Sequence, residues 1–226
     1  MSGNVATTDI ASVLAEFACK RPVFHSEADF QHALAWEIHA RCPTCSMRLE
    51  LKPPRLASRM HIDIWAADRE SILALELKYK TRGLRTTVEG EPFDLTNQSA
   101  QDCGRYDFLK DVQRLEGVVS QLDGITAYAL LLTNDSAYWT SPSSNATCDA
   151  SFRLHENRTA SGELRWEART SPGTMRGRED PIIIRGAYRL LWQDYSQPTT
   201  ASRGKFRYLL VKVDEGRGID AGNGGK

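Results

Sequence analysis

The sequence lacks an excess of charge of either sign, any long apolar run and any abundance of cysteine. Lysine plus arginine number 29 and aspartate plus glutamate also 29, so no overall field attracts a polyanion. The longest uninterrupted apolar stretch, residues 127–132, is far too short to span a bilayer. Five cysteines are too few for a disulfide-stapled miniprotein. Membrane-spanning and non-specific DNA-coating proteins are therefore disfavoured.

What is present is typical of one soluble globular domain. The 226 residues are 41% hydrophobic and 26% charged, and a chain of this length buries roughly 70% of the surface that its unfolded form exposes. Such a core needs no metal or disulfide, so we expect any metal to serve chemistry. The first 25 residues contain no basic start followed by an apolar segment, which favours a cytoplasmic location. In that reducing compartment we expect the cysteines to be free thiols.

One cysteine motif leaves an alternative open. Cys42-Pro-Thr-Cys45 has the spacing of a redox motif or of half a zinc site, but no second pair accompanies it. No phosphate-binding loop, nucleophile elbow, dinucleotide fingerprint or H-E-x-x-H motif occurs in the chain. A thiol-redox protein acting through Cys42 and Cys45 is therefore one of three functions to compare.

Hydrophobic periodicity predicts an α/β fold. Two helices come first, from Thr8 to about Lys20 and from Ser26, whose hydroxyl caps the helix, to just before Pro43. Three strands then follow, at residues 46–52, 60–66 and 72–80. After them come a polar loop (81–98), a long helix (99–120) and one more strand (127–132). The predicted core, about residues 26–134, has the order αβββαβ after an added N-terminal helix.

Beyond the core, residues 135–215 are predicted to form a β-rich C-terminal elaboration. We expect a hairpin that pairs residues 152–155 with 164–167, and two further apolar runs at 182–184 and 206–213. The glycine-rich tail, residues 216–226, is expected to be mobile. The chain contains neither an internal repeat nor a second complete core, so residues 1–226 are predicted to form a single domain.

The segment from Met60 to Lys80 carries the most information about chemistry. If its turn is centred between Arg69 and Glu70, antiparallel pairing places Asp63 opposite Glu76. Side chains alternate between the faces of a strand, which predicts one apolar and one ionisable face. The apolar face would carry Ile62, Ile64, Leu73, Leu75 and Leu77, and the ionisable face His61, Asp63, Trp65, Glu76, Lys78 and Lys80.

This pairing points to metal-assisted hydrolysis. Two carboxylates a few ångströms apart repel each other unless a cation neutralises them, and oxygen ligands with open positions suit Mg²⁺ better than zinc. Lys78, two residues beyond Glu76, can orient a water and help to deprotonate it. The implied reaction is in-line attack of water on a phosphodiester.

At these residues the sequence resembles the PD-(D/E)XK, or restriction-endonuclease-like, nuclease superfamily. Asp63 matches the first acid and Glu76-Leu77-Lys78 matches the E-x-K element, with twelve residues between Asp63 and Glu76. Ile62 stands where the motif's name has proline. The resemblance covers about residues 26–134, and αβββαβ is the superfamily's common core.

The resemblance implies a set of ligands. Mg²⁺, with Mn²⁺ as a possible substitute, would be held by Asp63, Glu76 and the carbonyl of Leu77, and Lys78 would lie at the attacking water. The alternative is an ordinary half-buried hairpin with a solvated Glu76 and Lys78. Many members add an acid from the helix before the sheet. Glu27 lies at the centre of that helix's apolar stripe and Glu37 about 60° from it, so Glu27 is the catalytic candidate.

Basic residues follow the hairpin directly. Lys80, Arg82 and Arg85 lead away from the proposed site and are predicted to bind a nucleic-acid backbone. The alternative is a solvated loop, whose charges balance Glu89, Glu91 and Asp94 nearby. On the long helix, a polar face opposite the apolar stripe could extend the same groove, with Tyr106, Lys110, Gln113 and Arg114.

The sequence therefore predicts a cytoplasmic, Mg²⁺-dependent endonuclease that hydrolyses phosphodiester bonds, in DNA more than in RNA, without a membrane partner and with a possible homo-oligomeric state. The main alternative is a catalytically inactive module on the same fold that binds nucleic acid or a protein partner. Intact Asp63, Glu76 and Lys78 favour catalysis.

Overall fold

The structure is a computed structural model that describes residues 5–53, 60–144 and 146–213. The predicted mobile tail, residues 216–226, lies outside the described residues. Helix and strand are mixed along the chain, which confirms the α/β class. None of the helices in the described part is both long and apolar enough to cross a membrane.

The elements of the first two thirds follow the predicted order with one addition. They are α1 (Ile10–Lys20), α2 (Glu27–Arg41), β1 (Ser46–Leu51), β2 (Ile62–Ala67), β3 (Ile72–Lys80), β4 (Leu84–Val88), β5 (Glu91–Leu95), α3 (Gln101–Val119) and β6 (Ile125–Thr133). Ser26 caps α2 as expected, since its hydroxyl accepts from the Asp29 N–H at 3.1 Å.

The C-terminal third contributes both strands and a short helix. Its elements are β7 (Thr159–Leu164), α4 (Pro172–Met175), β8 (Ile182–Arg189), β9 (Trp192–Ser196) and β10 (Phe206–Val213). One 3₁₀ turn, Ala150–Phe152, precedes β7, and another, Val5–Thr7, precedes α1. The main sheet has six strands in the order β1-β2-β3-β6-β10-β9, while β4–β5 and β7–β8 form separate two-stranded sheets. The C-terminal third therefore completes the main sheet.

Two hydrophobic clusters cover the two faces of that sheet. One lies beneath α1 and α2 and includes Phe24, Phe30 and Tyr79; the other lies beneath α3 and β8 and includes Phe108 and Leu131. The β3 and β6 strands are parallel, and α3 makes the crossover between them. Both faces of these central strands are thus buried, which leaves the strand edges and ends as the places for a polar site.

The chain segments at the two ends of the described region meet across the first cluster. The hydroxyl of Tyr195 in β9 donates to the carbonyl of Arg21 at 2.7 Å, across 174 residues of sequence. Ser196 donates to the carbonyl of Pro22 beside it. The connection between α1 and α2 is therefore fixed by a strand from the other end of the chain.

Two interpretations of the loops were wrong. The predicted polar loop contains the hairpin β4–β5, whose turn residues Glu89 and Gly90 both have positive φ, 51° and 87°. That turn geometry suits a tight two-residue hairpin. The predicted pairing of 152–155 with 164–167 does not form, because β7 pairs with β8 instead. Phe152 is drawn into the core, where its ring contacts Tyr106.

Two further expectations also need correction. Cys42 and Cys45 are not free thiols: the turn after α2 brings their Cα atoms to 5.5 Å and they form a disulfide. Ile62 is buried in the α3-side cluster and not with Ile64. The β2–β3 ladder ends at Ile64, so Ile62 lies beyond the pairing that enforces the alternation.

A glycine sets how closely α3 approaches the segment after β6. A Cβ on Gly104 would overlap the hydroxyl of the buried Tyr138 and lie 3.3 Å from its Cζ, whereas one on Gly117 would meet nothing within 4 Å. Both glycines lie within the same helix. Gly104 is therefore required by packing and Gly117 is not.

We expect Gly104→Ala to lower the free energy of unfolding by about 1–3 kcal/mol through overpacking. Gly117→Ala should raise it by up to about 1 kcal/mol through helix propensity. Urea denaturation of both variants measures the difference. Equal effects of the two substitutions would contradict the close approach of Tyr138.

Candidate active site

The site begins where two strands part. The β2–β3 ladder ends at the pair Ile64–Leu75, and continuing its register places Asp63 opposite Glu76, as the sequence predicts. On its other edge, β3 stays paired with β6 as far as Lys80. One edge of β3 therefore has backbone groups beyond Leu75 that no neighbouring strand satisfies.

Beyond Leu75, two carboxylates accept the backbone hydrogen bonds that a neighbouring strand would otherwise accept. Asp63 Oδ2 accepts from the Leu77 N–H at 2.6 Å, and Glu27 Oε2 accepts from the Tyr79 N–H at 2.7 Å. The N–H and C=O of one strand residue point to the same edge, so the Leu77 carbonyl lies on the Asp63 side of β3. Helix α2 thereby brings Glu27 to the same edge as Asp63.

A glutamine on α2 holds the end of β2 in place. Gln31 Nε2 donates to the backbone carbonyl of Asp63 at 2.7 Å and to Glu50 Oε1 at 2.9 Å. Gln31 is itself buried. These contacts connect α2, β1 and β2 at the point where β2 leaves β3, and they fix the backbone that carries Asp63.

The carboxyl group of Glu76 lies in an environment that disfavours its charged form. Only 2% of the residue is exposed, and burial together with the nearby charges of Asp111 and Asp63 raises its pKa to about 9. Arg114 Nη2 lies 2.9 Å from Glu76 Oε1 and partly offsets this effect. Burial likewise raises the pKa of Asp63.

Lys78 is paired with a residue that sequence analysis missed. Its Nζ lies 2.8 Å from Oδ2 of Asp111, a buried acid on α3. Burial alone would lower the pKa of Lys78, but the attraction of Asp111 outweighs it and the pKa is raised. Asp111 occupies the apolar stripe of α3 together with Phe108 and Leu115, and an acid in such a stripe was the available signal.

Arg114 is the second residue whose position was missed. It was assigned to a polar face of the long helix, but its guanidinium reaches Glu76, Asp111 Oδ1 at 2.9 Å and the carbonyl of His61 at 2.9 Å. Tyr106 was assigned to the same polar face and is instead buried. The polar face of α3 is narrower than helix periodicity suggested, because β8 covers part of it.

These groups line one open cavity of about 540 Å³. Its wall consists of Glu50, Met60, His61, Asp63, Glu76, Lys78 and Arg114. Asp63, Glu76 and Lys78 are thus brought together as predicted. Among the residues that the structure describes, no group of three His, Cys, Asp or Glu side chains surrounds a single metal position. The expected ligand set has two carboxylates and a backbone carbonyl.

The other candidate residues lie beside this cavity. Glu27 does not line it but approaches Lys80, whose Nζ is 4.0 Å from Glu27 Oε2. Arg82 Nε is 3.7 Å from Asp135 Oδ1. Arg85 pairs with Asp94 at 3.1 Å across the β4–β5 hairpin and its side chain is 86% exposed. The three cations follow the chain out of β3, each near an acid.

Comparisons of the chain with protein-family models, with curated proteins and with solved structures found no match. The chemistry of the site therefore has to be inferred from its own residues.

The raised pKa of Glu76 predicts an unusual effect on stability. Between its ordinary pKa of 4.5 and about 9, the folded protein keeps a proton that the unfolded chain has lost, so stability falls as pH rises through this range. Each pKa unit of difference corresponds to about 1.4 kcal/mol. We expect Glu76→Gln to raise the Tm at pH 8, by about 2–4 °C for each kcal/mol gained, and to change it little at pH 4.5.

Glu37 provides a control of opposite sign. Its hydrogen bond to Lys20 and its pairing with Arg41 lower its pKa, so its carboxylate stabilises the fold above the ordinary pKa and this contribution is lost in acid. Glu37→Gln should lower the Tm at pH 8. Calorimetry at both pH values compares the two variants, and a loss of stability in Glu76→Gln at pH 8 would contradict the unfavourable burial of Glu76.

Proposed function

We propose that this protein is a divalent-metal-dependent nuclease that hydrolyses phosphodiester bonds, with DNA as the preferred substrate. The observation that carries the proposal is the convergence of Asp63, Glu76 and Lys78 in one cavity at the open edge of β3. A half-buried hairpin without a task would leave Glu76 and Lys78 in solvent. Here Glu76 is buried at a cost to stability, which is typical of functional sites.

The arrangement of the elements supports a restriction-endonuclease-like core of the PD-(D/E)XK type. Helix α2, the antiparallel strands β1–β3, helix α3 and strand β6 follow in the order that the resemblance requires, and β3 carries the E-x-K element. The β4–β5 hairpin is an insertion in that order. Ile62 in place of the motif's proline is the remaining departure.

The residues present fit a magnesium ion. Glu76 Oε1 has no hydrogen-bond partner in the described part of the chain, and burial together with the negative charge around it raises its pKa. A hard divalent cation relieves such crowding and prefers these oxygen donors. Asp63, Glu76 and the Leu77 carbonyl would hold it. When bound, it would polarise the phosphate and stabilise charge on the leaving oxygen.

Lys78 has a defined protonation state in this proposal. With Asp111 beside it the ammonium stays protonated at neutral pH, so Lys78 donates hydrogen bonds and does not remove a proton from water. It can orient the attacking water and stabilise negative charge on the phosphate. Hydrolysis adds one water: its hydroxyl bonds to phosphorus, the bond from phosphorus to the leaving oxygen breaks, and that oxygen ends protonated.

A polyanionic substrate is supported by the cations that leave β3. Lys80 ends the catalytic strand, and Arg82 and Arg85 follow it directly, in a chain of zero net charge. The Arg85–Asp94 pair is highly exposed, and such surface pairs contribute little because solvent screens them. A phosphate backbone can therefore displace the acid from the arginine at little cost.

The proposal predicts cleavage that depends on metal. Purified protein is incubated with plasmid, linear duplex, single-stranded DNA and RNA, each with Mg²⁺, Mn²⁺ or EDTA. We expect cleavage of DNA with either metal and none with EDTA. Asp63→Asn, Glu76→Gln and Lys78→Met should each lower the rate at least about 100-fold, since each removes a group at the reacting phosphate.

Glu70→Gln is the matched control, because Glu70 lies in the turn between β2 and β3, at the other end of the hairpin from the cavity. It should cleave at the rate of the unmodified protein. Binding of nucleic acid without cleavage in either metal would support an inactive binding module instead.

The two acids of α2 should separate activity from stability. Glu27 meets the open edge of β3 near Lys80, whereas Glu37 pairs with Lys20 and Arg41 away from the cavity. We expect Glu27→Gln to lower the cleavage rate about tenfold with a small change in Tm, because the amide oxygen still accepts from Tyr79. Glu37→Gln should retain activity at 20 °C. The reverse order of activities would assign the helix contribution to Glu37.

A further inference from the structure

Arg114 is a charged residue of the cavity that the proposed chemistry leaves without a task. It lies on α3, and its side chain is 28% exposed on the cavity wall. Its guanidinium contacts three oxygen atoms from three parts of the chain: Asp111 on its own helix, Glu76 on β3 and the carbonyl of His61 before β2. An arginine held in this way has a defined position relative to the carboxylates.

The three contacts of Arg114 are not equivalent. Those to Asp111 Oδ1 and to the His61 carbonyl, both 2.9 Å, are hydrogen bonds. The 2.9 Å contact to Glu76 Oε1 is an ion pair without hydrogen-bond alignment, and that oxygen has no hydrogen-bond partner among the described residues. Asp111 and His61 therefore hold the guanidinium in place by hydrogen bonds, while its contact with Glu76 is not a hydrogen bond.

The balance of charge in the cavity shows what Arg114 does. Asp63, Glu76 and Asp111 bring three carboxylates together. Among the described residues, Lys78 pairs with Asp111, and Arg114 pairs with Asp111 and Glu76. Lys78 is engaged by Asp111 at 2.8 Å. Among the described residues, Arg114 is thus the cation that pairs with Glu76, the carboxylate that a divalent ion would use.

We propose that Arg114 is an internal counter-cation that competes with the divalent metal for Glu76, so that metal binding requires Glu76 to exchange Arg114 for the ion. This inference rests on the proposed metal site. Two cations at one carboxylate oxygen repel each other strongly in a buried place. The misaligned Glu76 contact is the one that can be released, because Asp111 and the His61 carbonyl keep Arg114 hydrogen-bonded after the exchange. The consequence is a weakened affinity for metal.

The test measures binding of Ca²⁺ alone, without substrate, by calorimetry on the full chain at pH 7.5 and pH 9. Arg114→Met removes the charge and keeps much of the side-chain length, and should bind Ca²⁺ at least tenfold more tightly than the unmodified protein. Arg114→Lys keeps the charge and should change the affinity less than threefold. Lys110→Met removes a positive charge one turn away, from a lysine that donates to Gln113, and should leave the affinity unchanged.

A second measurement follows Arg114 in the unmodified protein. NMR spectra of the arginine side-chain nitrogens are recorded on the unmodified protein without Ca²⁺ and at saturation. The signal of Arg114 is the one absent from the spectrum of Arg114→Lys. As Ca²⁺ saturates the site, this signal should change its chemical shift and become narrower. An Arg114 signal that is unchanged at saturation would overturn the inference.

The outcomes separate the inference from the proposed function. Equal Ca²⁺ affinity in the unmodified protein and in folded Arg114→Met overturns the competition but keeps the metal site. Ca²⁺ binding that is detected in Arg114→Met and not in the unmodified protein supports the competition. Absence of Ca²⁺ binding in every variant overturns both the metal site and the inference, and tighter binding that Lys110→Met reproduces assigns the effect to overall charge and overturns the role of Arg114.

Discussion

The parting of β2 from β3 after the pair Ile64–Leu75 is the constraint on which the site depends. A strand edge inside a protein cannot leave its N–H groups unsatisfied, because each unpaired buried donor costs about 1–3 kcal/mol. Asp63 and Glu27 accept from the Leu77 and Tyr79 N–H groups at this edge. The two hydrogen bonds that satisfy the edge of β3 therefore also fix two carboxylates beside Glu76 and Lys78. The same contacts complete the backbone hydrogen bonding and position the site.

The buried charged residues around Glu76 lower the stability of the protein. Glu76 is buried near Asp63 and Asp111, and among the described residues Lys78 and Arg114 offset these acids. A core chosen for stability alone would place apolar side chains at these positions. Asp111 and Arg114 come from α3, the crossover helix whose position against Tyr138 depends on Gly104. The electrostatics of the cavity therefore depend on packing at the other end of the same helix.

The sequence predicted what local periodicity controls. The hairpin register that places Asp63 opposite Glu76 follows from the turn at Asp68-Arg69-Glu70-Ser71, and the start of α2 follows from the Ser26 cap. It did not predict contacts between distant segments. The pairing of β7 with β8 depends in part on Glu116, which accepts from the Arg185 and Gly186 N–H groups about 70 residues away. No window along the sequence contains such a contact.

The hydrogen bond from Tyr195 to the carbonyl of Arg21, together with the place of β10 between β6 and β9, has a consequence during synthesis of the chain. A nascent chain that has emerged only as far as β6 exposes one edge of that strand and lacks the strand that holds the α1–α2 connection. Strand edges of this kind invite aggregation, and contacts so distant in sequence form slowly. The segment that carries Asp63, Glu76 and Lys78 leaves the ribosome early, yet it gains its complete sheet only when β10 follows. A newly made chain therefore passes through a period in which one edge of β6 is exposed and the main sheet is incomplete.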